Sequence, residues 1–216
     1  MIAAKTEEEI ELLREPCRIV KECLDFVGAN IRAGMTTKEV DDLVYRFIKA
    51  EGAEPSCLGY CGYPASACVS VNEVVVHGIP DDRVILTGDI VSVDLCAYKN
   101  GFHGDGARTF CIGEVSAEKQ KLVRVTKECF FKGIEGLKAG TPLYDIGFKV
   151  QKYAEENGFS VIRSYTGHGI GREMHEDPAV PNYGRKGTGP RLPANAVICV
   201  EPMIAAGGWR VQVLDD

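Results

Sequence analysis

Asp94 and Asp105 flank the dipeptide Asn100-Gly101, the strongest short-range signal for a tight β-hairpin. Residues 90–98 alternate in polarity and are rich in β-forming side chains, so they are expected to run as one strand into that turn. With Asn100 and Gly101 as the turn, Lys99 pairs with Phe102 and Asp94 lies opposite Ala107. Asp105 then shares a sheet face with Asp94 and sits diagonal to it, about 7–8 Å away at Cα. Two carboxylates so placed can converge on one object. A solvated sheet face is the plainer reading. Against it, Asp94 stands between Val93 and Leu95 in the most apolar strand of the chain, where a carboxylate needs a partner. Facing carboxylates repel unless one is protonated or a cation lies between them, and a hard divalent cation with oxygen ligands meets that need.

The second half supplies further donors. Thr166-Gly167-His168-Gly169-Ile170-Gly171 sets a histidine among glycines, where backbone can approach a site closely. His175 opens the run His175-Glu176-Asp177-Pro178. Taken alone, each histidine also reads as a surface or packing residue. Glu201 ends the apolar stretch Ala196 to Val200 and precedes Pro202, so it is expected at a buried strand end that requires a partner. A cluster of carboxylates with imidazole at its edge suits two bridged metals, which lower the pKa of a shared water and polarise a scissile carbonyl. Such mixed ligands admit cobalt, manganese, iron or zinc without choosing among them.

The elements that would position these groups occur twice. Arg18, Lys21, Glu22 and Cys23 recur in register as Arg124, Lys127, Glu128 and Cys129, and Ala33-Gly34 as Ala139-Gly140. Asp89 to Asp94 resembles Ala196 to Glu201, which makes Glu201 the counterpart of Asp94. Each half reads as two helices and then strands. Thr6 with Glu9, and Thr36 with Glu39, form capping boxes. The first helix places Ile10, Leu13, Cys17, Val20, Leu24, Val27 and Ile31 on one face, with Pro16 kinking it or resetting its start. The second buries Val40, Leu43, Phe47 and Ile48 and stops at Gly52. Ser116 is expected to open a third helix through about Leu137, and Thr141-Pro142 a fourth that closes near Gly158. Strands are expected at about 68–76, 89–111, 160–166, 196–205 and 209–214. The expectation is a single α+β domain over 1–216, with repeats at about 6–111 and 112–216. In it a curved antiparallel sheet is backed by four helices.

The chain has 216 residues and a net charge of −6, which argues against a nucleic-acid partner. No apolar run approaches the roughly 18 residues that span a bilayer. The first 30 residues also lack the basic-then-apolar plan of a signal peptide, so a cytoplasmic location and no membrane partner are expected. The nine cysteines are irregularly spaced and odd in number, the pattern of reduced thiols.

The segments Asn72 to Pro80, Asp94, Gly101-Phe102-His103-Gly104-Asp105, Gly167 to Gly171, His175 to Pro178 and Val200-Glu201-Pro202-Met203 together resemble type I methionine aminopeptidase. The resemblance runs from about Thr6 to Asp216. It implies the duplicated pita-bread fold, a two-metal centre, and removal of the initiator methionine from a nascent polypeptide when the next residue is small. By the same resemblance Asp94, Asp105, His168 and Glu201 match metal ligands, and His77 and His175 match the histidines that contact substrate. Cys57, Tyr60, Tyr63 and Cys68 match the methionine pocket, while His103 matches no ligand and reads as a polar hairpin residue. A monomer acting on the nascent chain N-terminus at the ribosome is the implied setting. Cys61 and Met174 depart from the histidine and phenylalanine common in the family. The family pattern also continues past Asp216, through a pocket tryptophan and a glutamate that bridges both metals. Without them this form is expected to be impaired. A proline-peptide hydrolase or a non-catalytic binding protein of the same fold are the alternatives.

Overall fold

Thr36 begins the clearest local structure in the chain. Its side chain accepts from the Glu39 amide while the Glu39 carboxylate accepts from the Thr36 amide, so both orphan donors of the first helical turn are satisfied. In the computed structural model, which describes residues 2–214, helix α2 (Thr37–Ala50) starts there and buries Val40, Val44 and Ile48. Thr36→Ala is expected to cost about 1 kcal/mol and lower the melting temperature by about 2–4 °C, read by thermal circular dichroism.

Helix α1 (Glu7–Asn30) passes through Pro16 rather than restarting at it. Its buried face is Leu13, Pro16, Ile19, Val20, Cys23, Leu24 and Val27, while Cys17 of the expected stripe is exposed. The turn around Pro16 faces Gly104, where an added Cβ would come within 2.5 Å of the Pro16 carbonyl carbon. The glycine lets helix and strand backbones approach.

The strands of this half are β1 (Glu54–Pro55), β2 (Ala67–Val71), β3 (Ile90–Lys99) and β4 (Phe102–Cys111), all paired antiparallel. β3 is central, with β1 and β2 following one another along one edge and β4 along the other. Val91, Val93, Leu95 and Ala97 of β3 are fully buried with the apolar faces of α1 and α2. Each contributes on the order of 1.5–3 kcal/mol for a Val or Leu so buried. β2 stops short of the expected residue 76. Asn72 takes φ +53°, its Nδ2 donates to Asp89 and its Oδ1 accepts from the Ile90 amide, which turns the chain away.

The chain divides into two compact units, Glu7–Ser116 with Ile170–Met174, and residues 2–6, 117–169 and 175–214. The second holds α3 (Ala117–Ile134), α4 (Tyr144–Glu156), β5 (Ser160–Val161), β6 (Gly167–Gly169), β7 (Glu176–Val180) and β8 (Ile204–Ala205). Val125, Cys129, Val150 and Ala154 form its helical core, and Leu143, Ile146, Val180 and Leu192 a second cluster. α4 starts later than the Thr141-Pro142 signal. Pro142 bridges Arg191 and the Leu143 amide donates to the Pro190 carbonyl, so this stretch is extended before the helix begins. The expected strand at 196–205 is reduced to β8, with a single bridge from Ile198 to Gly169, and none forms over 209–214. Pro202, which lacks an amide, and Gly207-Gly208 interrupt the ladder. Among the described residues no helix is long and apolar enough to cross a membrane.

Candidate metal centre and substrate pocket

The hairpin register is the one expected: Lys99 pairs with Phe102, Asp94 with Ala107 and Cys96 with Asp105. Asn100 at φ +55° and Gly101 at φ +85° supply the two left-handed residues that a tight hairpin turn requires. Asp94, Cys96, Asp105 and Ala107 therefore share the face opposite the core, and Cys68 of β2 joins them opposite Asp94. Both aspartates are partly buried. The Cys96 thiol donates to Asp105 Oδ2 at 3.0 Å. Burial, with the nearby Asp94 charge, pushes the Cys68 thiol up to about 12.

The expected pocket residues surround this face unevenly. Tyr63 donates its hydroxyl toward the Ala67 and Gly78 carbonyls at 3.2 and 3.1 Å, and burial raises its pKa. Cys57 is partly buried, and the neighbouring Cys96 holds its thiol below the usual range. Tyr60, 43% exposed, is the outlying member. His77 stands on the loop after β2 at φ +59°, an uncommon conformation that histidine tolerates better than most residues. The next residue anchors it: a Cβ on Gly78 would lie 2.6 Å from the Val69 carbonyl, and the Gly78 carbonyl accepts from the Val69 amide. His77 is exposed as a residue, yet the protein around it desolvates its ring and lowers its pKa. The neutral imidazole therefore persists to lower pH than in a free histidine. His103 has a separate role, with Nδ1 at 2.8 Å from the Ser56 hydroxyl and its ring against Tyr98.

In the other unit His168 lies on β6 between two glycines. A Cβ on Gly167 would come within 2.2 Å of the Cys199 carbonyl, and one on Gly169 within 2.2 Å of the Asp177 carbonyl. Both neighbouring segments thus close on the imidazole, which is 9% exposed. Its Nδ1 lies 2.8 Å from the Gly169 carbonyl. A carbonyl can only accept, so the proton is on Nδ1 and Nε2 points outward as a donor atom for a metal or as the site of a second proton. Nε2 is 3.2 Å from Glu201 Oε1, and the His175 ring packs 4.3 Å from the His168 ring. A lone pair and a carboxylate at that separation call for a positive charge between them. The donor chemistry of this pair therefore fits a divalent cation.

Three supporting residues were not visible as such in the sequence. Fully buried Asn182 donates from Nδ2 to the Glu201 carbonyl at 2.5 Å and holds that main chain. Lys5 forms a shielded pair with Glu176, next to His175, at 2.5 Å. Asp41 on α2 accepts from the Ser66 and Ala67 amides, fixing the start of the strand that carries Cys68. Each partner is distant in sequence, and nothing local signals the pairing.

A family model for metallopeptidase family M24 matches residues 11–216, and the chain belongs to that family. A methionine aminopeptidase from Clostridium perfringens is 50% identical over 216 residues, covering all of this chain and 87% of the relative. The solved methionine aminopeptidase from Rickettsia prowazekii superposes with a TM-score of 0.98 at 40% identity, with the same coverage of each chain. Within the family the likeness is thus to type I methionine aminopeptidases, and the fold is their α+β pita-bread fold. A solved Xaa-Pro dipeptidase from Bacillus anthracis is more distant, with a TM-score of 0.80 at 29% identity, and this chain covers 54% of it. Membership of a metallopeptidase family implies a divalent metal.

Proposed function

We propose that the chain removes the initiator methionine from new polypeptides when the second residue is small. In this reading 1–216 acts as one catalytic domain built from two repeats. Asp94, Asp105, His168 and Glu201 hold two divalent ions, whether cobalt, manganese, iron or zinc. Bound there, the metal supplies Lewis acidity to the scissile carbonyl and acidity to a water molecule. The observation that carries the proposal is the pair of buried His168 with partly buried Glu201, with His175 against it. His168 is held in one tautomer by its Nδ1 contact, so its orientation is settled before any ligand arrives. His175 and His77 are assigned to the substrate. His175 donates to the carbonyl oxygen as charge develops there, and neutral His77 orients the peptide beyond the cleaved bond. Cys57, Tyr60, Tyr63 and Cys68 form the slot for an unbranched thioether side chain. The partner is the N-terminus of a nascent chain at the ribosome, met in the cytoplasm by a monomer, with no nucleic acid or membrane bound.

Steady-state hydrolysis of short peptides tests this. Met-Ala and Met-Gly peptides are expected to be cut at least about tenfold faster than Leu-Ala or Met-Lys peptides, within the range that side-chain fit in an apolar slot provides. Equal rates on Met-Ala and Leu-Ala would replace the assignment with a broad aminopeptidase. Cleavage confined to Xaa-Pro peptides would replace it with a proline-peptide hydrolase.

A further inference from the structure

His77 sits at φ +59°, a left-handed conformation that a residue with a side chain keeps only where its surroundings impose it. The imposing contacts run back to α2. The Gly78 amide donates to the Ser70 hydroxyl at 3.1 Å, and the Gly78 carbonyl accepts from the Val69 amide at 2.9 Å. The same carbonyl lies 3.1 Å from the Tyr63 hydroxyl, which is also 3.2 Å from the Ala67 carbonyl. One phenolic proton is thus shared between the start of β2 and the residue next to His77. Ala67 is fully buried, and its amide, with that of Ser66, donates to Asp41 Oδ1 at 2.8 and 2.9 Å. Beyond His77, the Asp81 amide donates at 2.9 Å to the hydroxyl of Thr37, one turn before Asp41 on the same face of α2. Both ends of the segment that carries His77 are therefore tied to one helix face.

We propose that Asp41 and Tyr63 are positioning residues for His77: Asp41 fixes Ala67, and the Tyr63 hydroxyl carries that position to Gly78 and so to the imidazole. Tyr63 then has two separable parts. Its ring lines the slot for the substrate side chain, while its hydroxyl holds the loop that presents His77. What Asp41 contributes is an acceptor rather than a charge. Burial raises its pKa against the pull of the two amides, and the side-chain oxygen of asparagine accepts the same two bonds. The coupling of α2 to His77 is independent of the aminopeptidase reading, on which its kinetic consequence rests.

Tyr63→Phe keeps the ring and deletes the shared proton. The chain has four histidines, so ring-labelled full-length protein gives four imidazole signals that NMR follows against pH. In Tyr63→Phe the His77 signal is expected to shift, and its titration midpoint, held low by desolvation, to rise toward that of a free histidine. His103, bonded to Ser56, is expected to stay where it was and serves as the internal control. On a Met-Ala peptide kcat is expected to fall about tenfold or more, within the roughly 100-fold that a small misplacement costs. KM and the preference for Met-Ala over Leu-Ala should hold, because the phenyl ring still lines the slot. Asp41→Ala is expected to reproduce the His77 shift and Asp41→Asn to leave the signal at its parent position, both checked for folding by circular dichroism. An unmoved His77 signal in Tyr63→Phe would overturn the proposal, as would a loss of Met-Ala preference without a His77 shift. An unmoved signal in folded Asp41→Ala would remove Asp41 from the chain of contacts. Equal rates of the parent protein on Met-Ala and Leu-Ala would count against the aminopeptidase reading alone, since the NMR result stands without it.

Discussion

Asp94→Asn lowers kcat/KM on a Met-Ala peptide by at least about 100-fold and leaves the fold intact. This is the expected result, since loss of a ligand should exceed the 10–100-fold that loss of an outer partner costs. Asparagine keeps the shape of the side chain and removes its charge. Asp94 stands on an otherwise apolar strand, opposite Cys68 and diagonal to Asp105, where two like charges repel each other in the metal-free protein. Removing one charge should therefore hold or raise the melting temperature of the metal-free form even as activity disappears. Catalytic sites commonly trade stability in this way. Three measurements decide it: peptide kinetics, bound metal by elemental analysis, and thermal melting after chelation. Unchanged kinetics with unchanged metal content would remove Asp94 from the site. A collapse of the metal-free fold would instead make it a structural residue.

Gly104→Ala should produce the largest loss of stability. The new methyl carbon would lie 2.5 Å from the Pro16 carbonyl carbon, 2.6 Å from the Cys17 nitrogen and 2.7 Å from the Pro16 oxygen. All three are backbone atoms of α1, so no side chain can swing aside. The helix must shift away from the hairpin and loosen the core that Val20, Leu24 and Val27 share with β3. A cost of about 3 kcal/mol is expected, the upper end for overpacking, with a fall in melting temperature of about 6–12 °C. Gly34→Ala is the control. Gly34 has φ +91° and open space around it, so alanine there meets only backbone strain, of order 1 kcal/mol. Similar melts for the two variants would mean that α1 can move at little cost.

The sequence by itself determined what depends on near neighbours. Asn100-Gly101 set the hairpin, the hairpin set the register, and the register put Asp94 and Asp105 on one face. Thr36 and Glu39 set the start of α2 in the same way, because a capping box is complete within one helical turn. The glycines beside His168 were visible, but their reason was not: each clears space for a carbonyl, of Asp177 or Cys199, brought there by the fold. Residues 196–205 read as a strand from their apolar run, yet a strand is made by its partner, and β6 pairs with that stretch at one bridge. The contacts of Asn182 with Glu201 and Lys5 with Glu176 likewise came only from tertiary structure. Hydrogen bonds to residues far along the chain leave no periodic or local trace, and what supports these functional groups is held almost entirely by such bonds.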